Sequence, residues 1–204
     1  GRKGQYLTSG FINAHLHLES TMVNPQVLIS QAAQRGTTTF IVDPHEAANV
    51  SGCDGIDYLL DQTKNSPAHV YAMIASCVPS TEVDDNGCRL TARDMEKYLH
   101  NRRVMGLGEV MDYKSVIDGV PSMNAKLELF DGKVKDGHSP DLAPEELAAY
   151  VLAGITTDHE GTTYEYVMRE RAMGMVCHIR EGSAARNLEM IVKGIVENNT
   201  NTEG

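Results

Sequence analysis

Two of the eight histidines in this sequence, His15 and His17, stand at i and i+2 in Asn13-Ala14-His15-Leu16-His17. On a strand that spacing turns both imidazoles to one face and sends Ala14 and Leu16 to the other. Two imidazoles on one face can chelate a divalent cation. Asp136-Gly137-His138 and Thr157-Asp158-His159-Glu160 each offer one more histidine, enough for a second cation. Glu109 lies among glycines in Gly106-Leu107-Gly108-Glu109-Val110. A carboxylate between two cations can bridge them at the roughly 3.5 to 4 Å separation of two-metal hydrolases.

These residues need a scaffold that brings distant segments together, and the hydrophobic pattern supplies one. Short β-branched or apolar runs alternate with longer amphipathic stretches, the signature of a parallel sheet with helical crossovers. Strands are expected at Gly10–His17, Thr37–Asp43, Val70–Val78, Val104–Val110, Lys133–Asp136, Ile155–Thr157 and Met175–Ile179. Helices are expected at Pro25–Gln34, with Gly36 as its stop, at Ile56–Thr63, and from a Thr91/Asp94 capping box to about Arg103. Others should span Ala125–Leu129 and Pro144–Leu152, follow a Thr162/Glu165 capping box, and run from Ser183 to about Glu197, before a polar, frayed tail, Asn198–Gly204.

About seven β/α units read as most of a TIM-type (β/α)8 barrel, truncated before its eighth unit, since the complete fold takes about 250 residues. A doubly wound sheet uses the same local pattern, although no Gly-x-Gly-x-x-Gly turn follows a strand. On either scaffold His15, His17, His45, His138 and His159 fall at or just beyond carboxyl ends of strands, where such folds build active sites. His69, His100 and His178 fall instead on a strand start, a helix surface and a strand interior.

Composition removes other classes. The net charge of −10 and the absence of tryptophan argue against a nucleic-acid partner, which needs clustered Lys and Arg or a stacking platform. No apolar run reaches the roughly 18 residues of a membrane span, and no signal-peptide core precedes the first strand. A cytoplasmic protein is expected. Cys53, Cys77, Cys88 and Cys177 form no Cys-x-x-Cys pair and read as ordinary thiols in a reducing compartment.

The run Gly10-Phe11-Ile12-Asn13-Ala14-His15-Leu16-His17-Leu18-Glu19-Ser20 resembles the metal-binding start of the amidohydrolase superfamily. Asp43-Pro44-His45-Glu46, Gly108-Glu109-Val110-Met111, Lys135-Asp136-Gly137-His138, Asp158-His159-Glu160 and Ile179-Arg180-Glu181-Gly182-Ser183 resemble, in order, the blocks of its adenine deaminase branch. The resemblance implies two divalent metal ions on His15, His17, Glu109, His138 and His159, with Glu109 in the bridging place. It implies hydrolytic deamination of adenine, a small purine, to hypoxanthine and ammonia. The donors, imidazole and carboxylate without thiolate, suit iron, manganese or zinc.

Glu46 and Glu160 follow ligand-like histidines and are the candidate proton carriers, though supporting a ligand is an equal role for either. His45, Arg180, Glu181 and Ser183 are the candidate substrate contacts. A local ion pair of Arg180 with Glu181, and Ser183 as a helix N-cap, is the plainer reading.

Two departures from the family pattern stand out. Residues 1–204 read as an incomplete barrel domain, lacking the flanking small β domain and the final strand with its metal-side aspartate, and Gly161 stands where the family usually has cysteine. A homo-oligomer is expected, or a longer chain that closes the barrel. Two rival functions remain, hydrolysis of a cyclic amide and a non-catalytic metal-binding fragment.

Overall fold

The computed structural model describes Gly4, residues 6–81 and residues 83–201. Among the described residues seven parallel strands form one sheet in chain order: β1 Phe11–Leu16, β2 Thr37–Val42, β3 His69–Ile74, β4 Val104–Val110, β5 Val134–Gly137, β6 Thr157–Asp158 and β7 Val176–Cys177. A doubly wound sheet reverses its strand order at a switch point. This one never does. Strictly sequential order is that of a barrel wall.

The wall is also curled. Six strands in a flat sheet would place β1 and β6 roughly 24 Å apart, at about 4.8 Å per step. Instead the ring of His15 on β1 stacks on that of His159, just after β6, with centroids 3.7 Å apart. The curl thus gathers the carboxyl ends of the strands around one point.

Helices cover the wall: α1 Pro25–Ala33, α2 His45–Ser51, α3 Cys53–Gln62, α4 Ala92–Met95, α5 Tyr113–Ile117, α6 Pro121–Leu129, α7 Pro144–Leu152, α8 Tyr164–Ala172 and α9 Leu188–Glu197. α3 shows why they dock: Ile56, Leu59 and Leu60 repeat at helical spacing, all are buried, and the rest of that helix is mostly exposed. α1 starts where Asn24 accepts the Gln26 N–H and Pro25 takes the first helical position, where no donor is needed. The core runs from Ile29 and Phe40 through Ile56, Ile74 and Leu107 to Leu147 and Tyr150.

Several boundaries differ from the sequence reading. α2 was not expected; it begins directly at His45, so β2 passes into a helix with almost no loop. α5 was missed, while α6, Pro121–Leu129, contains the expected Ala125–Leu129 stretch and starts one turn before it. The Thr91/Asp94 box is present, but α4 lasts four residues before a 3₁₀ turn, Glu96–Tyr98. β3 stops at Ile74, and Ala75–Val78 leave the strand while staying buried. β6 begins at Thr157 rather than Ile155, and β7 ends at Cys177. The cap of α8 is Thr163, whose hydroxyl accepts the Tyr166 N–H, rather than Thr162. α9 begins at Leu188 after Asn187, so Ser183 caps no helix; it lies in a loop where Glu181 and Arg186 form an isolated antiparallel bridge. Of the expected tail, Thr202–Gly204 lie outside the described residues.

Candidate metal centre

β1 delivers His15 and, one residue beyond its end, His17; β4 delivers Glu109; the residues following β5 and β6 deliver His138 and His159. Each is placed by a specific bond. The Glu109 N–H donates to Asp43 Oδ2 at 2.7 Å, and the Ser76 hydroxyl donates to the Glu109 carbonyl at 2.5 Å. Gly108 is required there: a Cβ on it would lie 2.1 Å from Asp43 Oδ2. The His138 N–H donates to the hydroxyl of fully buried Tyr150, which itself donates to the Val110 carbonyl at 2.5 Å. One phenol on α7 therefore ties the ends of β4 and β5 together.

The Glu109 carboxylate, 3% exposed, sits at the middle of the cluster. Its Oε1 lies 2.6 Å from His15 Nε2, 2.9 Å from His17 Nε2 and 3.1 Å from His159 Nε2. Its Oε2 lies 3.4 Å from His138 Nδ1 and 3.6 Å from His45 Nδ1. The four expected histidine ligands thus meet around the fifth, Glu109. Triads able to hold a cation include His15–His17–Glu109 and Glu109–His138–His159, and also His15–Asp136–His159, Asp43–His45–Glu109 and His17–His45–Glu46.

The donor set fits a divalent cation on its own chemistry. His17 Nδ1 donates to the Asp43 carbonyl at 2.8 Å, and His15 Nδ1 faces Asp136 Oδ2 at 3.1 Å. Both bonds fix the tautomer in which Nε2 carries a lone pair. Those two Nε2 atoms are 3.1 Å apart and both face Glu109. Lone pairs so directed repel unless a proton or a metal ion shares them.

In the metal-free chain the protons do so. Burial pulls His15 and His17 down, but the carboxylates outweigh it and raise them to about 10 and about 9. Glu109 shows the converse: burial pushes it up, yet the imidazoles of His138, His15, His159 and His17 crowded around it hold it far below the usual carboxylate range. Buried Nδ1 atoms of His138 and His159 have no hydrogen-bond partner.

The other expected site residues divide. Glu160 is close, with Oε1 3.6 Å from His138 Nδ1 and 3.7 Å from His159 Nε2. Arg180 grips both Glu160 oxygens, at 2.5 and 3.0 Å, so its pair crosses to the β6 end rather than to Glu181 beside it. His45 and Glu46 open α2 at the rim, with Glu46 Oε2 3.5 Å from His17 Nδ1. Glu46 also accepts the Ser20 hydroxyl at 2.6 Å. Burial and then Glu46 push neighbouring Glu19 up to about 7. Glu181 and Ser183 are exposed, and Glu181 forms an isolated bridge with Arg186.

Sequence reading passed over Asp43, Asp136, Asp158 and His178. Each aspartate is buried at a strand end, one or two residues before a histidine of the cluster. That repeated Asp-x-His or Asp-His spacing was their signal. His178 lies just past β7, not within it; it is half-buried with Nδ1 unpartnered, and burial lowers its pKa.

A sequence model of the amidohydrolase family matches residues 6–199. The chain belongs to that family. This amidohydrolase chain is 57% identical over 199 residues to an adenine deaminase of Desulfitobacterium hafniense, covering 98% of the chain and 35% of that protein. It is 46% identical over 193 residues to an adenine deaminase of Clostridium acetobutylicum, covering 94% and 34%. It is 45% identical over 186 residues to an adenine deaminase 2 of Carboxydothermus hydrogenoformans, covering 91% and 33%. The chain therefore spans about a third of the length of the curated relatives it matches. Among the described residues no helix is long and apolar enough to cross a membrane.

Proposed function

We propose that the full-length protein deaminates adenine by hydrolysis, giving hypoxanthine and ammonia, and that this chain is the barrel portion carrying most of its metal centre. The carrying observation is the meeting of four imidazoles, from three separate strand ends, on the two oxygens of Glu109. The adenine deaminase relatives supply the substrate. His15, His17 and Glu109 would hold one divalent ion and Glu109, His138 and His159 a second, with iron, manganese or zinc suited to the donors. Such ions, when bound, lower the pKa of water toward neutrality and so supply the nucleophile for C6 of the purine.

The remaining work falls to the chain itself. Asp136 and the Asp43 carbonyl keep His15 and His17 turned with Nε2 inward. Glu160, within 3.7 Å of two of the histidines, is placed to carry a proton to the departing amine. Arg180 keeps that carboxylate oriented through its double bond. His45 and Glu46, at the start of α2, are the rim groups placed to meet the ring edge.

The test is ammonia release by the full-length protein, alongside elemental analysis. Adenine should be deaminated much faster than adenosine, whose ribose needs extra room. Equal rates on the two, or hydrolysis of a cyclic amide with none on adenine, would move the assignment to another branch of the family. Absence of bound transition metal after expression in supplemented medium would remove the binuclear reading altogether.

A further inference from the structure

Behind the His138 and His159 pair lies a second polar cluster that the chemistry above does not use. Asp158, Ser139 and Glu170 are all 0% exposed. Asp158 accepts the Ser139 N–H on Oδ1 at 2.7 Å and the Glu160 N–H on Oδ2 at 2.6 Å. Its one carboxylate thus grips the peptide group directly after each histidine. Glu170, on α8, accepts the Ser139 hydroxyl at 2.9 Å and the Cys177 thiol at 3.3 Å. The Tyr166 hydroxyl donates to Ser139 Oγ at 2.9 Å and accepts the Leu142 N–H at 3.1 Å, closing the cluster.

The His15/His17 half is held differently: Asp136 meets His15 Nδ1 directly, and the Asp43 carbonyl accepts the His17 Nδ1–H. Two buried carboxylates in one cluster are costly unless one keeps a proton. Asp158 already accepts two peptide N–H groups. Glu170 is suited to the proton, since burial and then Asp158 raise it to about 8. Gly161 belongs to the same design. A Cβ there would lie 2.6 Å from Val167 Cγ2 and 3.3 Å from Glu170 Oε2, so the close approach of α8 to the β6 end leaves no room for a side chain.

We infer that Glu170 is a positioning residue that, through Ser139 and Asp158, sets the geometry and metal affinity of the His138/His159 half of the centre and leaves the His15/His17 half untouched. The inference rests on the binuclear reading above. Groups that orient metal ligands through hydrogen bonds change affinity by about 10- to 100-fold when removed. Glu170→Ala removes the bridge. Glu170→Gln keeps its length and offers a neutral amide in place of a neutral acid.

The experiment is cobalt(II) titration of the metal-free full-length protein, followed by optical absorption and calorimetry. Wild type should take up two equivalents. E170A should hold one equivalent as wild type does and bind the other at least about tenfold more weakly, while E170Q stays within about threefold of wild type for both. Ser139→Ala, a smaller lesion of the same bridge, is read as E170A is and decides the matter should E170A fail to fold. Unchanged binding of both equivalents, equal weakening of both, or an E170Q as impaired as E170A would overturn the inference. A wild-type protein that takes up no cobalt would sink the binuclear reading and this inference with it.

Discussion

Gly108→Ala tests how Glu109 is placed. The new methyl group would stand 2.1 Å from Asp43 Oδ2 and 2.7 Å from its Cγ, so one of the two must move by about an ångström. Asp43 is 0% exposed and cannot swing into water. Overpacking of this kind costs about 1–3 kcal/mol. Losing the Glu109 N–H bond to a buried carboxylate adds about 1.5–3 kcal/mol. A total near 4 kcal/mol corresponds to a fall of about 10 °C in melting temperature for a domain of this size. The assay is thermal unfolding of the full-length variant with metal content measured in parallel, against Gly182→Ala, whose Cβ would meet only Ala185 O at an ordinary 3.7 Å. G108A should melt well below G182A and carry less metal. If the two melt together and load equally, the argument that Gly108 is needed to seat Asp43 is wrong.

Tyr150→Phe deletes a hydroxyl that serves the His138 N–H and the Val110 carbonyl. It should cost about 1–3 kcal/mol in thermal unfolding, with weaker metal uptake, because both partners stay buried. His138→Ala or His159→Ala should each lose one of two metal equivalents by elemental analysis and abolish ammonia release rather than raise KM, since the nucleophile depends on the metals. Glu170, pushed up to about 8 from an ordinary 4.5, holds a proton in the native state that the unfolded chain has already given up. The metal-free wild type should therefore lose stability relative to E170Q as pH rises from about 4.5 through 8, and parallel melting curves for the two across that window would contradict it.

The barrel was legible because alternation of apolar runs is a one-dimensional signal, although a run that stays buried past its strand, as Ala75–Val78 does after β3, hides where the strand stops. That His15, His17, Glu109, His138 and His159 would gather at one end of the sheet was legible from their strand-end positions. α2 was missed because Pro44 and the polar His45-Glu46 pair look like a loop, and the helix is held by its place after β2 rather than by its own pattern. Ser183 was misplaced because a serine before a helix is a good cap in isolation, and only the bridge between Glu181 and Arg186 shows that the chain has not yet turned helical. Arg180 offered two acidic neighbours in space, and sequence shows only Glu181. The aspartates behind the histidines carry no apolar periodicity, so their burial depends on the curl of the sheet.

That curl makes the centre a record of the folding history of the chain. His15 and Asp136 are 121 positions apart, and contacts of such separation form late, after the loop-closure entropy of everything between has been met. A slip of one residue in β1, β4, β5 or β6 would turn its ligand to the opposite face and leave the cluster incomplete. No local stretch of sequence can assemble it early or by itself. Metal retention is accordingly a sharper gauge of correct strand register than helix content, since a molecule with every helix formed and one strand misregistered would look native by its secondary structure and still hold no complete centre.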